Sequence, residues 1–317
     1  MSMTLNWVRS AANQDDGAFG NGAETLAIRL GWAIIVLSIP CAVGIVWASG
    51  LSLIFGKILP LLFLLPMLFL AHIRYRFFTP DQRISDVTGA LAMVISAALL
   101  AGLISHAALR LQMPLIDDFL IAADIYLGSG MGNENVVTLF FGLDRFNRLL
   151  EIAYESSVQV CMVMILICAA RNERKAAWEA ASSFAIAILL CSIMSAFIPA
   201  VGNIPHSGLT AAAAEGLPRA AGVYHMELWD ALRNGDGDAL DLGQLNGIVT
   251  FPSFHLIMAL IFARAVAPFA MFKRAGYVWA TLMAVSTIPI GGHYIIDLLA
   301  GGVLWLAIIA CFRAQKP

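Results

Sequence analysis

LAIRLGWAIIVLSIPCAVGIVWA, residues 26–48, is the stretch that decides the fold class of this chain. Its only charged side chain is Arg29, and it is long enough to cross the hydrocarbon core of a bilayer, which takes about 20 apolar residues in helical form. A helix pairs its backbone polar groups within the segment, as a lipid solvent requires. The stretch therefore predicts a membrane-spanning helix.

Further apolar runs follow it along the chain. Of the 317 residues, 60% are hydrophobic and 13% charged, with a mean hydropathy of +0.81, which excludes a water-soluble globular domain. We therefore predict an all-α, polytopic transmembrane bundle of about eight spans. The further predicted spans are 51–73, 86–107, 149–170, 183–200, 253–271, 277–290 and 294–312. The span at 277–290 is short.

Charge and cysteine usage exclude several classes of function. The net charge is −2 and the basic residues are scattered, so nucleic acid is not an expected partner. The cysteines lie inside apolar runs without CxxC spacing, so we expect neither a disulfide nor a zinc site. No other metal and no cofactor are expected either. Asp15 and Asp16 make the N-terminus acidic, unlike a cleaved signal peptide, so the first span is expected to remain as an anchor.

Lys and Arg are retained on the cytoplasmic side of membrane proteins and therefore indicate orientation. With the N-terminus inside, the inner connections hold Arg74, Arg76, Arg83, Arg171, Arg174, Lys175, Lys273, Arg274, Arg313 and Lys316. The longer outer connections hold only Arg110, Arg145, Arg148, Arg219 and Arg233. We predict that both termini are cytoplasmic, and we expect a bacterial inner membrane.

The predicted organisation has two parts. Residues 1–108 form a polar tail and accessory spans, and residues 109–317 form the transmembrane core with extracytoplasmic loops at 109–148 and 201–250. In the first loop, Asp117 and Asp124 lie two helical turns apart opposite apolar neighbours, which predicts a helix in the membrane interface. The second loop is rich in Gly, Asp and Pro and is expected to cover a site.

Two short motifs begin spans that run in the same direction. Residues 250–255, TFPSFH, open the sixth span, and residues 291–297, GGHYIID, open the eighth. Both spans run from outside to inside under the predicted orientation, so His255 and His293 are expected at one outer level. We predict that they belong to one reaction centre.

The starts of these two spans are candidate anion sites. The N–H groups of Ser253, Phe254 and His255 are expected to point outward with the positive end of the helix dipole. Gly291 and Gly292 lack side chains, so a ligand can approach the backbone closely before the eighth span. Phosphate shared by two helix starts is the anion that this arrangement predicts.

His293 and Asp297 are four residues apart on a helix and hence on one face. A carboxylate bonded to one imidazole nitrogen fixes the tautomer and leaves the other nitrogen to attack. His255 is then the candidate general acid for a leaving oxygen.

These residues resemble those of a known family. FPSFH at 251–255, followed by His293 and Asp297, is similar to the second and third motifs of the type 2 phosphatidic acid phosphatase superfamily, Pro-Ser-Gly-His and Ser-Arg-five residues-His-three residues-Asp. Phe254 in place of the motif glycine and the GGHY run at 291–294 look like the inositolphosphorylceramide synthase branch. Residues 117–124, DDFLIAAD, and residues 232–235, LRNG, also look like that branch.

The resemblance, which covers roughly residues 114–302, implies a fold and residue roles. It implies a six-helix catalytic core to which two N-terminal spans are added. His293 maps onto the covalent nucleophile, Asp297 onto the carboxylate that orients it, and His255 onto the leaving-group acid. It implies phosphoryl or phospho-head-group transfer from a membrane phospholipid donor to a lipid alcohol, with water as the acceptor in a phosphatase.

The chain departs from the family at three cationic positions. Cys191 and Ile198 stand where the first motif has Lys and Arg, and Thr287 stands where the third motif has Arg. Positive potential is then expected from the helix starts and from Arg233 or Arg219. The departures favour the transferase branch over a generic phosphatase.

Several alternatives remain open at this stage. A lipid transporter that uses His and Asp as proton relays and an inactive scaffold are the non-enzymatic ones.

Single residues also have alternative roles. A structural role is expected for His72, His106, His206 and His225. Asp117, Asp118 and Asp124 are candidates for interface solvation, capping or head-group binding, and Arg233 is either a loop cation or a ligand contact. The candidate substrate-binding residues are Ser253, Phe254, Gly291, Gly292, Arg233, Asp117 and Asp124. The head group, the acceptor and the oligomeric state are left open.

Overall fold

The computed structural model describes residues 22–128, 133–207, 217–218, 221–235 and 238–314. The first half of the chain forms α1 (Gly22–Ser49), β1 (Ser52–Ile54), a 3₁₀ turn (Gly56–Ile58), α2 (Leu59–Ile73), a π-helical turn (Arg74–Phe78), α3 (Gln82–Leu109), α4 (Asp117–Leu127), α5 (Asn133–Thr138), α6 (Asp144–Glu155) and α7 (Ser157–Ala170). The second half forms α8 (Arg174–Phe197), α9 (Asn203–His206), α10 (Met226–Asn234), β2 (Ala239–Asp241), a 3₁₀ turn (Leu242–Gln244), α11 (Phe254–Val266), α12 (Lys273–Ser286) and α13 (Ile295–Arg313).

The all-α membrane bundle predicted from the sequence is confirmed. Within the described ranges, five helical segments are long and apolar enough to cross a membrane. Four of them are α1, α3, α8 and α13, and the fifth is the continuous segment Gly56–Phe78, which contains α2. Helices α6 and α7 qualify together as a sixth, although they are bent by 53° where they meet.

The remaining two predicted spans correspond to shorter helices. Helix α11 has 13 residues and α12 has 14, so each is only about 20 Å long, against about 30 Å for the bilayer core. The apolar run at 253–271 contains Pro268, which cannot donate a helical backbone bond, and α11 ends two residues before it. Apolar length in the sequence therefore exceeded helix length in the structure.

Helices α3 and α8 form the centre of the bundle. They pack against each other along their length, and most of their side chains are buried. Helix α1 packs on both, α7 also packs on both, and α11 packs on α8. Helices α11 and α13 also contact each other, which brings the two motif-bearing helix starts together.

An ion network ties α1 to this centre. The guanidinium of Arg174 lies 3.1 Å from a carboxylate oxygen of Glu24 and 3.1 Å from one of Asp86. Asp86 also accepts hydrogen bonds from the side chains of Gln82 and Trp178. One cation therefore holds two buried carboxylates from two different helices.

The described residues of the loop at 201–250 include secondary structure. It contains α9, α10 and β2, and β2 pairs in parallel with β1, with Ser52 opposite Ala239. The outer loop at 109–148 contains the helix predicted near Asp117, now α4. The covering loop is thus attached to the connection between α1 and α2.

Candidate active site

His293 and Asp297 form a buried pair at the start of α13. His293 is 2% exposed and Asp297 is fully buried, and the His293 Nδ1 lies 3.2 Å from the Asp297 Oδ2. The same oxygen accepts the backbone N–H of Tyr294 at 2.9 Å, which completes a capping box. Nδ1 is therefore the ring nitrogen of His293 that the Asp297 carboxylate holds.

His255 lies beside this pair, in the first turn of α11. The ring centroids of His255 and His293 are 6.0 Å apart and their planes are inclined by 60°. The ring of Tyr154, in α6, stacks on the His255 ring, with centroids 4.0 Å apart and nearly parallel planes. The structure therefore brings His255, His293 and Asp297 together, and it adds Tyr154 to the group.

Close packing of α11 and α13 sets the distance between the two histidines. The backbone N–H of Ser253 donates to the backbone carbonyl of Asp297 at 3.0 Å. A Cβ on Gly301 would lie 2.6 Å from the Ser253 carbonyl oxygen, so only glycine fits at this contact. The Ser253 side chain caps α11 by accepting from the Leu256 N–H.

The start of α13 does not offer its backbone donors to a ligand, contrary to expectation. The carboxylate of Asp124 accepts the N–H groups of Ile295 and Ile296, both at 2.8 Å. Burial raises the pKa of Asp124, and these two backbone donors act in the opposite direction. Asp124 therefore caps the helix that carries Asp297. Of the roles considered for Asp124, its contacts support capping.

Asp117 anchors the same region from the other end of α4. It is 1% exposed, and its carboxylate accepts the N–H groups of Val201 and Gly202 and the hydroxyl of Tyr294, at 3.0 Å, 3.0 Å and 2.9 Å. Asp118 is instead exposed and bonds to His206. Asp117 thus fixes Tyr294, the residue directly after His293.

The predicted glycines shape the turn before His293. Gly292 has a φ of +66°, which side-chain-bearing residues rarely adopt, and its carbonyl accepts the Asn203 N–H at 2.8 Å. A Cβ on Gly291 would lie 2.7 Å from the Tyr154 ring and 3.0 Å from the His293 ring. Both glycines therefore allow close packing within the protein around His293.

A cavity of about 440 Å³ opens beside the site. His255, Tyr154 and Phe254 line one part, mostly apolar side chains of α3 and α8 line another, and residues of α6, α7 and the 201–250 loop complete the lining. No Lys or Arg is found among its described lining residues. The cavity has the size and polarity expected for part of a lipid.

A model of the PAP2 superfamily matches residues 121–311, more than half of the chain. The chain belongs to the PAP2 superfamily. The match includes His255, His293 and Asp297 as well as Asp124. Comparison with curated proteins and with solved structures gives no significant match.

Membership in the PAP2 superfamily, together with the apolar helices, supports an integral membrane protein that acts as a phosphatase-type or phosphotransferase-type lipid enzyme. Among the described residues, no group of three or more His, Cys, Asp and Glu side chains is placed to hold a metal ion.

Of the two cations expected at this PAP2 site, only Arg233 lies within the described residues. Arg233 donates to the Met113 carbonyl at 2.8 Å, and it is absent from the described lining. Arg219 lies outside the described residues. Cys191 does line the cavity, at the position that the first motif assigns to Lys. Among the described lining residues, a thiol therefore stands where the motif has a cation.

His225, which the sequence analysis assigned to a structural role, is a further histidine near the site. It is 5% exposed, and its Nε2 lies 3.3 Å from the Val201 carbonyl. Burial lowers the pKa of His225 to about 4, the Val201 carbonyl raises it, and His293 lowers it further. No motif surrounds His225 or Tyr154, so only three-dimensional contacts reveal them.

Proposed function

We propose that this PAP2 superfamily member is a membrane phosphotransferase that moves a phospho-head group between lipids through a phosphohistidine on His293. The observation that carries the proposal is the buried His293–Asp297 pair with the His255 ring 6.0 Å from the His293 ring. A nucleophile oriented by a carboxylate, next to a second imidazole, is the arrangement that covalent phosphoryl transfer requires.

In the first step, the Nε2 of His293 attacks the phosphorus of a donor phospholipid. The Nε2–P bond forms while the P–O bond to the diacylglycerol-like alcohol breaks, and the departing oxygen takes a proton from the His255 imidazolium. Asp297 accepts the Nδ1–H hydrogen bond and stabilises the positive charge that His293 acquires.

In the second step, an acceptor hydroxyl attacks the same phosphorus. Its proton goes to His255, which restores the imidazolium, and the Nε2–P bond breaks to release His293. A lipid hydroxyl as the acceptor gives a new phospholipid, whereas water gives a phosphate monoester or inorganic phosphate. The apolar walls of the cavity favour a lipid acceptor, because they can hold an acyl chain beside His255.

Electrostatic stabilisation is assigned chiefly to the start of α11. In the described part of the chain, the N–H groups of Phe254 and His255 bond to no backbone or side-chain acceptor, and they lie at the positive end of the α11 dipole. The donors of α13 are instead taken by Asp124. One helix start, rather than two, is thus proposed to contact the phosphate.

The finer resemblance to inositolphosphorylceramide synthases supports the reaction type, which is head-group transfer to a ceramide-like or diacylglycerol-like hydroxyl. We place this chemistry at the extracytoplasmic face, because the positive-inside rule puts the starts of α11 and α13 there. Reporter fusions after residues 50, 172 and 314 test the orientation, which requires opposite signals at residues 50 and 314.

The reaction itself is tested with the purified protein, a phospholipid donor and a lipid alcohol acceptor in the presence of a chelator. Mass spectrometry is expected to show a new phospholipid and a phosphorylated His293, and both should be absent from His293→Ala. Inorganic phosphate as the only product would reject transfer in favour of hydrolysis. Lipid movement that His293→Ala abolishes, without any product, would indicate the transporter alternative.

A further inference from the structure

The cavity beside His255 has an acidic wall. Glu151 and Glu155 lie one turn apart on α6, on the same face, and both line the cavity. Glu151 is partly buried and Glu155 is exposed, and neither forms an ion pair within the described ranges. Two carboxylates therefore face a cavity whose described lining carries no cation.

A second, independent feature of the same wall also indicates a ligand. Ser157, which begins α7, lines the cavity and is 1% exposed, yet its Oγ has no hydrogen-bond partner among the described residues. A buried hydroxyl without a partner is unfavourable unless a bound group satisfies it. This hydroxyl lies two residues from Glu155, at the bend between α6 and α7.

The wall is next to the reacting groups. Tyr154 lies between the two glutamates in sequence, and its ring stacks on His255 at 4.0 Å. The Tyr224 hydroxyl, which also belongs to the lining, lies 3.2 Å from the Tyr154 hydroxyl. The two glutamates therefore line the same cavity as His255 and the two tyrosines that adjoin it.

The charge of the wall selects the chemistry of that group. An anionic head group would be repelled, and a neutral polyol would leave two carboxylates uncompensated in a largely apolar cavity. An ammonium neutralises them, donates hydrogen bonds, and is further attracted to the faces of tyrosine rings. In a zwitterionic phospholipid the ammonium is joined to the phosphate by a short linker, which matches the proximity of the wall to His255.

We propose that this cavity binds the ammonium-bearing head group of a zwitterionic phospholipid, with Glu151 and Glu155 as its counter-charges. The proposal rests on the proposed function and names its donor class. It also accounts for Cys191 at the lysine position of the motif, because the substrate brings its own cation to the phosphate. The reaction type follows the resemblance, whereas the head group departs from the inositol of that branch.

Binding is tested separately from turnover with the His293→Ala protein. Its affinity is measured for short-chain phosphatidylethanolamine, phosphatidylcholine, phosphatidylglycerol and phosphatidylinositol with identical acyl chains. The two amine lipids are expected to bind about tenfold tighter than the other two. Glu151→Gln and Glu155→Gln introduced into this protein should each reduce that preference, and Glu227→Gln, on the exposed side of α10, should leave it unchanged.

Equal affinity for all four lipids, or a preference for phosphatidylinositol, would overturn the proposal. A preference for the amine lipids that survives both glutamine substitutions would overturn it as well. If the glutamine variants do not fold, the comparison of the four lipids on His293→Ala alone decides the matter. Amine-lipid binding without any phosphohistidine in the wild-type protein would contradict the proposed function and leave the binding site standing.

Discussion

Asp297 is the residue that fixes the tautomer of His293. Its Oδ2 accepts from the His293 Nδ1, so Asp297→Asn is expected to disturb the tautomer while leaving the packing nearly unchanged. We expect kcat to fall between about 10² and 10⁴-fold with little change in KM. The measurement is steady-state transfer of a labelled head group. His206→Gln, which alters an exposed pair with Asp118, is the control, and equal losses in both variants would contradict the assignment.

His225 predicts a pH dependence of stability. Its pKa in the folded protein is about 4, below its ordinary value of 6.5, so the unfolded chain binds more protons between these two values. Stability contributed by neutral His225 is complete above pH 6.5 and is lost as the pH falls towards 4, at up to about 1.4 kcal/mol per pH unit. Burial is the largest cause of the lowered pKa, and a proton on Nδ1 would have no acceptor among the described residues.

Thermal unfolding in detergent at several pH values between 7 and 4.5 measures this effect. His225→Gln is expected to flatten the decline of the unfolding temperature on acidification relative to the wild type. Parallel curves for the two proteins would show that another group titrates.

At the scale of the helix, the cap on α13 links stability to activity. Asp124→Ala removes the acceptor of the Ile295 and Ile296 N–H groups, which we expect to cost about 1–3 kcal/mol of unfolding free energy. The activity should fall as well, because the turn with His293 leads into this helix start. Asp118→Ala, on the exposed face of α4, is the matched control for both denaturation and turnover, and it should behave like the wild type.

The contact between α11 and α13 is tested by a second matched pair of variants, a disruptive substitution and its control. Gly301→Ala puts a methyl group 2.6 Å from the Ser253 carbonyl, so we expect a loss of about 1–3 kcal/mol and a slower reaction as the histidines move apart. Gly302→Ala meets only the Leu256 side chain, at 3.9 Å, and should be tolerated. Denaturation midpoints and kcat of both variants are compared, and a tolerated Gly301→Ala would contradict the proposed role of this contact.

For the molecule as a whole, Arg174 determines whether α1 stays attached to the bundle. Its side chain is 17% exposed and compensates Glu24 and Asp86, so Arg174→Leu removes the ion-pair partner of two buried carboxylates. We expect a loss of about 3–5 kcal/mol. Arg171→Leu, at an exposed position, is the control. Proteolysis of α1 in membranes reports its detachment, and partial rescue by adding Glu24→Gln and Asp86→Asn would confirm the electrostatic cause.

The sequence predicted those features that depend on local spacing. Apolar runs identified the spans, and the interval of four between His293 and Asp297 was sufficient to predict their contact, because such residues share a helix face. It could not predict the partners of Asp124, which lie 171 and 172 residues away. Nor could it mark Tyr154, because the ring that Tyr154 stacks on, that of His255, lies 101 residues away in sequence. Apolar content alone also overestimated the length of α11, because this helix ends before Pro268.

The small ladder between β1 and β2 has a practical consequence for anyone who shortens this chain. A fragment limited to the region matched by the superfamily model would lack β1 and leave the polar backbone groups of β2 without their partner. Exposed edges of that kind recruit strands from neighbouring molecules and promote aggregation. Expression trials that remove α1 and β1 should therefore yield self-associating material. The smallest useful unit accordingly retains β1 and the helix before it.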